Sequence, residues 1–487
     1  MKKWSKVWIV FCVLTVGSIF PMQAQFLKNL KKAVENVGKE VDKVMGNSSD
    51  VNSSQSNEGN AVQQEVKEQN LELEGLPCGN FGTDVAKETC VSFHETASTK
   101  KIVLDETYGM NCGDFSCGLA FIHTNKNGSF YINEKGDKVF EVSDKSIYNR
   151  ADMEKMKFGN NRVIDCIDKE NGRMVYKAIL YDNNGKVVKQ LSNIEKASNF
   201  VDGVALVKTR PAKFTEKPVL KYINTAGEFV FPHLNIEGWY GDLVNRPLCE
   251  GLAAYQKRST GNKMVWGFRD ANGKEVIPAE YLEVLDFHDG MAAVCQMVGE
   301  VEKWGYIDTT GKLVIPCTYT VKPGSFSDGY AVVCNKNKEQ FYIDKGGNIV
   351  KGPFKYGGDV TERITSFHNG YALLYQQMAG YGIGYTFVLD TSFNKVAYFK
   401  NFDSSREDDG KNGGYALRDE YILGIDRFGT TRYTLVSLKG DLMYDDLFSD
   451  FHEDKALYVT NYRNANRVSS YVNRKGEILV QFVRNEF

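Results

Sequence analysis

The chain has 487 residues, 42% of them hydrophobic and 25% charged, with a formal net charge of −2. That length exceeds what one conventional core needs, so it predicts several domains or a repeat array. A near-neutral balance with no basic tract in the body argues against nucleic acid or an anionic membrane as a general partner. Abundant Gly (45), Tyr (26) and Phe (29) beside only 10 Pro predict short strands and turns rather than long helices.

Residues 1–24 read as a secretory signal. Lys2, Lys3 and Lys6 precede an apolar run over 7–20 that is short for a bilayer, and Ala24 supplies the small residue at the cut. Export is therefore expected, to the periplasm, the outer-membrane surface or the medium. Residues 25–46 read as an amphipathic helix, with Leu27, Leu30, Val34, Val37, Val41 and Val44 on one narrow seam. That helix is suited to self-association, to a membrane surface or to packing on the rest of the chain, and its mixed charge favours packing. Residues 47–75 carry many acids and no aromatic residue, which predicts a disordered linker.

From residue 76 to 487 the sequence repeats. A Gly-x-Ala marker before an apolar run occurs at Gly118, Gly203, Gly251, Gly290, Gly329, Gly370 and Gly414, with degenerate copies at Asn161 and Lys455. The spacing of 39–48 residues predicts about nine copies of one unit. A second marker places a turn between two apolar runs, as in Asp308-Thr-Thr-Gly311. Asp or Asn at its first position and Gly at its fourth favour a type I turn leading into a bulge. Equivalent turns begin at Asn133, Asp182, Asn224, Asp270, Asp344 and Asn473, while Asp390 and Ser437 open less regular ones. Each copy then reads as three antiparallel strands.

Two copies carry a Trp-Gly pair, Trp266-Gly267 and Trp304-Gly305, followed by Ile-Pro at 277–278 and 315–316. This pattern resembles the WG repeat family. The resemblance implies an exported or surface-associated bacterial protein and brings no shared activity with it. The expected architecture is all-β, an open superhelix of three-stranded units, with a closed β-propeller as the alternative at this period.

Candidate chemistry is sparse. The turn aspartates are accounted for by local backbone bonds, and a lone Asp-x-Asn-Gly supplies too few oxygens for calcium. His288, His368 and His452 recur in register but too far apart to share one metal ion. Nine cysteines remain after cleavage, with bridges expected among Cys78, Cys90, Cys112 and Cys117. Cys295 and Cys334 read as buried apolar groups. Tyr330, Tyr371 and Tyr415 follow the marker glycine and alternate with inward residues, so they form the candidate binding face. No catalytic, cofactor or metal site is expected. The functional expectation is an exported non-catalytic protein- or glycan-binding or scaffold protein of the cell envelope. The alternative is a surface hydrolase acting on carbohydrate or peptide.

Overall fold

The computed structural model describes residues 78–79, 90–107, 110–143, 156–170, 173–211, 213, 215–237, 243–355, 360–378, 384–400, 416–418, 421–425, 433–438, 442–460 and 468–485. The signal, the 25–46 helix and the 47–75 linker lie outside the described residues.

Blade 5 shows the repeating unit. An inner strand Glu283–Val284 is followed in sheet order by Met291–Val298, Val301–Asp308 and the outer strand Leu313–Tyr319, all antiparallel. The second strand is buried from Met291 to Cys295, because the blade lies between two neighbours and both its faces are covered. The outer strand alternates, with only Ile315 and Cys317 buried. Counterparts lie at 111–142, 162–192, 194–237, 253–281, 330–354, 360–400, 416–447 and 455–484, which makes nine blades. Among the described residues the one helical element is the 3-10 turn Pro232–Leu234.

Both turn types follow from local chemistry. The Asp308 carboxylate accepts the N–H groups of Thr310 and Lys312 at 2.9 and 3.1 Å, and Gly311 takes φ +84°. Asn133, Asp182, Asn224, Asp270, Asp344, Asp390 and Asn473 make the same pair of bonds in their own turns. The marker glycine closes a second hairpin. Asp289 and Gly290 both have positive φ, 56° and 77°, between the bridged residues His288 and Met291. Positive φ at both central residues is the signature of a type I′ turn.

The array closes, which corrects the open superhelix. The Tyr306 hydroxyl donates to the Gly324 carbonyl of the next blade at 2.7 Å, and Tyr131 and Tyr342 make the equivalent bonds to Met156 and Thr365. Tyr471 of blade 9 makes it to Gly113 of blade 1. Phe115, Ile122 and Ile132 of blade 1 share one core with Leu457, Tyr471 and Phe482 of blade 9. An open array would leave two apolar end faces in water, and joining them buries both. The chain's own early segment spans the seam on the outside. His94–Leu104 pairs parallel with the outer strand of blade 9, Val91 N–H bonds the Met443 carbonyl of blade 8, and Cys78–Gly79 pairs with blade 7.

Two copies sit in a different register from the one the sequence pattern suggests. In blade 8, Arg418 pairs back to Tyr421, and Tyr421 opposes Ser437 as Met291 opposes Asp308. The strand in register with Met291–Val298 therefore opens at Tyr421, six residues later than the sequence pattern placed it. In blade 9 the marker is Asp454, with φ 61°, rather than Lys455. This restores the buried phenylalanine three residues earlier, Phe451, to the place of Phe287 and Phe326. The expected bridges are also corrected: Cys90, Cys112 and Cys117 are thiols, since the folded blades hold them on separate elements.

Candidate interaction surfaces

The type I′ turns line one end of the propeller, and side chains from six of them reach the next blade. Asp289 accepts the N–H of Gly329 at 2.6 Å, Asp328 that of Gly370 at 3.0 Å, and Glu250 that of Gly290 through both oxygens. Asn160 does the same to Gly203, and Asp202 reaches Leu248. Glu453 closes the ring, accepting Cys117 N–H at 2.6 Å and Gly118 N–H at 2.9 Å. The carboxylates at this rim are blade-to-blade clasps. Asp-Gly flanked by apolar residues is a strong hairpin signal, so their turn role was legible, but their partners one repeat away were not.

Inward of the rim, three aspartates four residues before the marker position meet a basic side chain from the preceding blade. Asp286 meets Arg246 at 3.0 Å, Asp450 meets Arg418 at 2.9 Å, and Asp114 meets His452 at 3.2 Å. Asp450 also accepts the Tyr421 hydroxyl at 2.7 Å. Burial and that bond to Asp450 together hold the Tyr421 phenol well above the ordinary tyrosine range, so it remains a neutral donor. Tyr306 is likewise raised by burial. These groups are fixed by neighbours rather than poised for proton transfer. Among the described residues no cluster of His, Cys, Asp and Glu is arranged to hold a metal ion.

Of the candidate tyrosines, Tyr330 is half-buried, with its ring 5.5 Å from Phe367 and 5.2 Å from Phe393. Tyr371 packs half-buried against the core shared by Leu373, Val388 and Ile422. Tyr415 lies outside the described residues, and the residue in register with Tyr330 and Tyr371 is Tyr421, which is buried. His288 and His368 are exposed in their turns.

The outer strands present a different surface. Val276, Leu313, Val314, Ile349 and Val350 on the adjacent blades 4, 5 and 6 are exposed, Ile349 by 63%. Blade 3 adds Phe229, and blade 2 adds Val187 and Val188. No such row was read from the sequence, where these residues look like ordinary core positions of a third strand.

A family model described as "WG containing repeat" matches residues 266–296 and 304–338. These stretches, in blades 4 to 6, are WG-containing repeats. No curated protein matches the sequence. Among solved structures the chain is similar to a crystal structure of the eukaryotic initiation factor, with TM-score 0.44, 12% identity, and coverage of 75% of this chain and 96% of that one. It is similar to BamB from Moraxella catarrhalis at TM-score 0.25 and 12% identity, covering 68% and 80%. A third likeness is to oligopeptidase B from Leishmania major, at TM-score 0.36 and 10% identity, covering 76% and 54%.

Proposed function

We propose that this WG-repeat propeller is an exported, non-catalytic binding or scaffold protein of the cell envelope, taking a protein or glycan ligand. The observation that carries the reading is where its reactive side chains go. The rim carboxylates, the inner aspartates and the third-strand tyrosines are bonded from blade to blade, which serves architecture. A repeat array stabilised in this way offers extended surfaces on which function lies in what differs between copies. Export rests on the basic and apolar pattern of residues 1–24.

The test is capture on immobilised glycan and peptide arrays by the full chain, with hydrolysis products assayed on the same arrays. Capture without turnover is expected. Turnover that disappears on Asp286→Asn or Asp450→Asn would overturn the reading in favour of a hydrolase. If the Tyr330 and Tyr371 edges line the ligand face, Tyr330→Phe and Tyr371→Phe weaken capture while the melting curve stays in place.

A further inference from the structure

Proline is distributed unevenly around the ring. Pro278, Pro316 and Pro353 lie within the outer strands of blades 4, 5 and 6, and Pro232 comes two residues after that of blade 3. A proline on an edge strand removes an N–H and blunts further pairing. The outer strands of blades 7, 8 and 9, Lys395–Lys400, Leu442–Leu447 and Glu477–Arg484, contain none. These are the blades that the chain's own early segment bonds, in parallel on blades 7 and 9 and through Val91 on blade 8. Edges carrying proline are guarded by it, and proline-free edges carry an added segment.

Blades 1 and 2 break this rule. Their outer strands, Lys138–Val142 and Val187–Ser192, have no proline, and no strand lies on them among the described residues. They follow blade 9 in the ring, so they continue the path on which His94–Leu104 is already laid. Val187 and Val188 are exposed by 44% and 36%. Lys135 and Lys186 are exposed beside these strands, and Lys189 is half-buried. Among the described residues none of the three is in an ion pair.

We infer that the outer edges of blades 1 and 2 bind an extended, acidic segment of a partner protein by strand addition. This deepens the binding role above and names its partner class. Main-chain hydrogen bonds supply the affinity, the exposed valines accept alternate apolar side chains, and the lysines select acidic ones.

A short synthetic peptide alternating Glu with Val is the probe, titrated into the full chain by fluorescence anisotropy, with amide exchange followed at 187–192. Binding that slows exchange there is expected. Lys186→Glu with Lys189→Glu should weaken it at least about tenfold. Gln190→Pro, which copies the place of Pro278 because Lys189 opposes Leu180 as Ile277 opposes Phe268, should abolish it. Should Gln190→Pro unfold the chain, the charge variant and the exchange pattern decide alone. Failure to bind, or equal binding of a Lys-Val peptide, overturns the proposal. So does self-association of the unliganded chain that Gln190→Pro removes, since the occupant is then a second copy. Array capture that persists while this peptide fails leaves the binding role standing and sinks only the edge.

Discussion

Blades 5 and 6 solve one steric problem in opposite ways. In both, the third strand carries a buried tyrosine, Tyr306 or Tyr342, and the outer strand shifts register beside it. That shift presses the outer backbone onto the third strand one residue earlier. In blade 5 the residue there is Gly305, where a Cβ would lie 2.4 Å from the Ile315 carbonyl and 2.8 Å from Cys317 N. Gly267 in blade 4 faces Ile277 and Ala279 in the same way, at 2.5 and 2.6 Å. Blade 6 has Phe341 at that place, and the glycine has moved across to the outer strand. Gly352 there takes φ +125°, and a Cβ would lie 2.9 Å from the Gln340 carbonyl and 2.9 Å from the Phe341 ring. The Gly of the Trp-Gly pair is thus a requirement for space between two strands, and either strand can meet it.

The sharpest way to break this comparison is Gly305→Ala. The new methyl meets backbone that cannot swing away, so a loss of about 3 kcal/mol is expected from urea unfolding. A loss under about 0.5 kcal/mol would mean the two strands separate freely and the glycine has another purpose. Gly352→Ala comes next, at about 2 kcal/mol, from a positive φ and contacts that are less close than those at Gly305. Pairing it with Phe341→Gly should recover part of that loss, because one of its clashes is with the Phe341 ring. Strict additivity in the double mutant would show that the glycine has not simply changed strands.

The same pair of blades shows what was legible in the sequence. The hairpin turns at Asp308 and Asp344 were placed correctly, because Asp and Gly at fixed offsets act within a few residues. The marker glycines of blades 1 and 3 to 7 were equally clear. Register slipped in two copies: the blade 8 strand opens at Tyr421, six residues later than the pattern suggests, and in blade 9 Asp454 holds the marker place that the pattern gives to Lys455. Closure failed for a different reason. It depends on Glu453 meeting Cys117 and Tyr471 meeting Gly113, contacts hundreds of residues apart that leave no local periodicity. The rim carboxylates were visible as residues, but whether they faced solvent or the next blade depended on that same closure.

A third and smaller test holds both blades to a shared feature. Tyr306→Phe and Tyr342→Phe each remove a hydroxyl that donates to the next blade, to Gly324 and Thr365 respectively. Each should cost about 1 kcal/mol, since a carbonyl near the core is left without that donor. Equal losses are expected, because this bond does not depend on which strand carries the glycine. A loss confined to one of them would show that the two register shifts position their tyrosines differently.

The smallest effect appears only in acid. The Asp308 carboxyl is held below the ordinary aspartate range, first by the Thr310 hydroxyl and then by the Lys312 and Thr310 N–H groups. Asp344 is held below it first by the Asn348 side chain, then by the Asn348 N–H. A carboxyl whose folded pKa is depressed adds stability above its unfolded pKa and loses it as pH falls through the folded value. Both turns should therefore weaken together below the ordinary aspartate pKa and stay constant from mild acid to neutrality. Asparagine fills the same role at Asn133, Asn224 and Asn473, where its side-chain oxygen accepts the same two N–H groups and does not titrate. Asp308→Asn with Asp344→Asn should leave the melting temperature at neutral pH nearly unchanged and shrink its fall in acid. An acid limb of unchanged depth would place its origin outside these two turns.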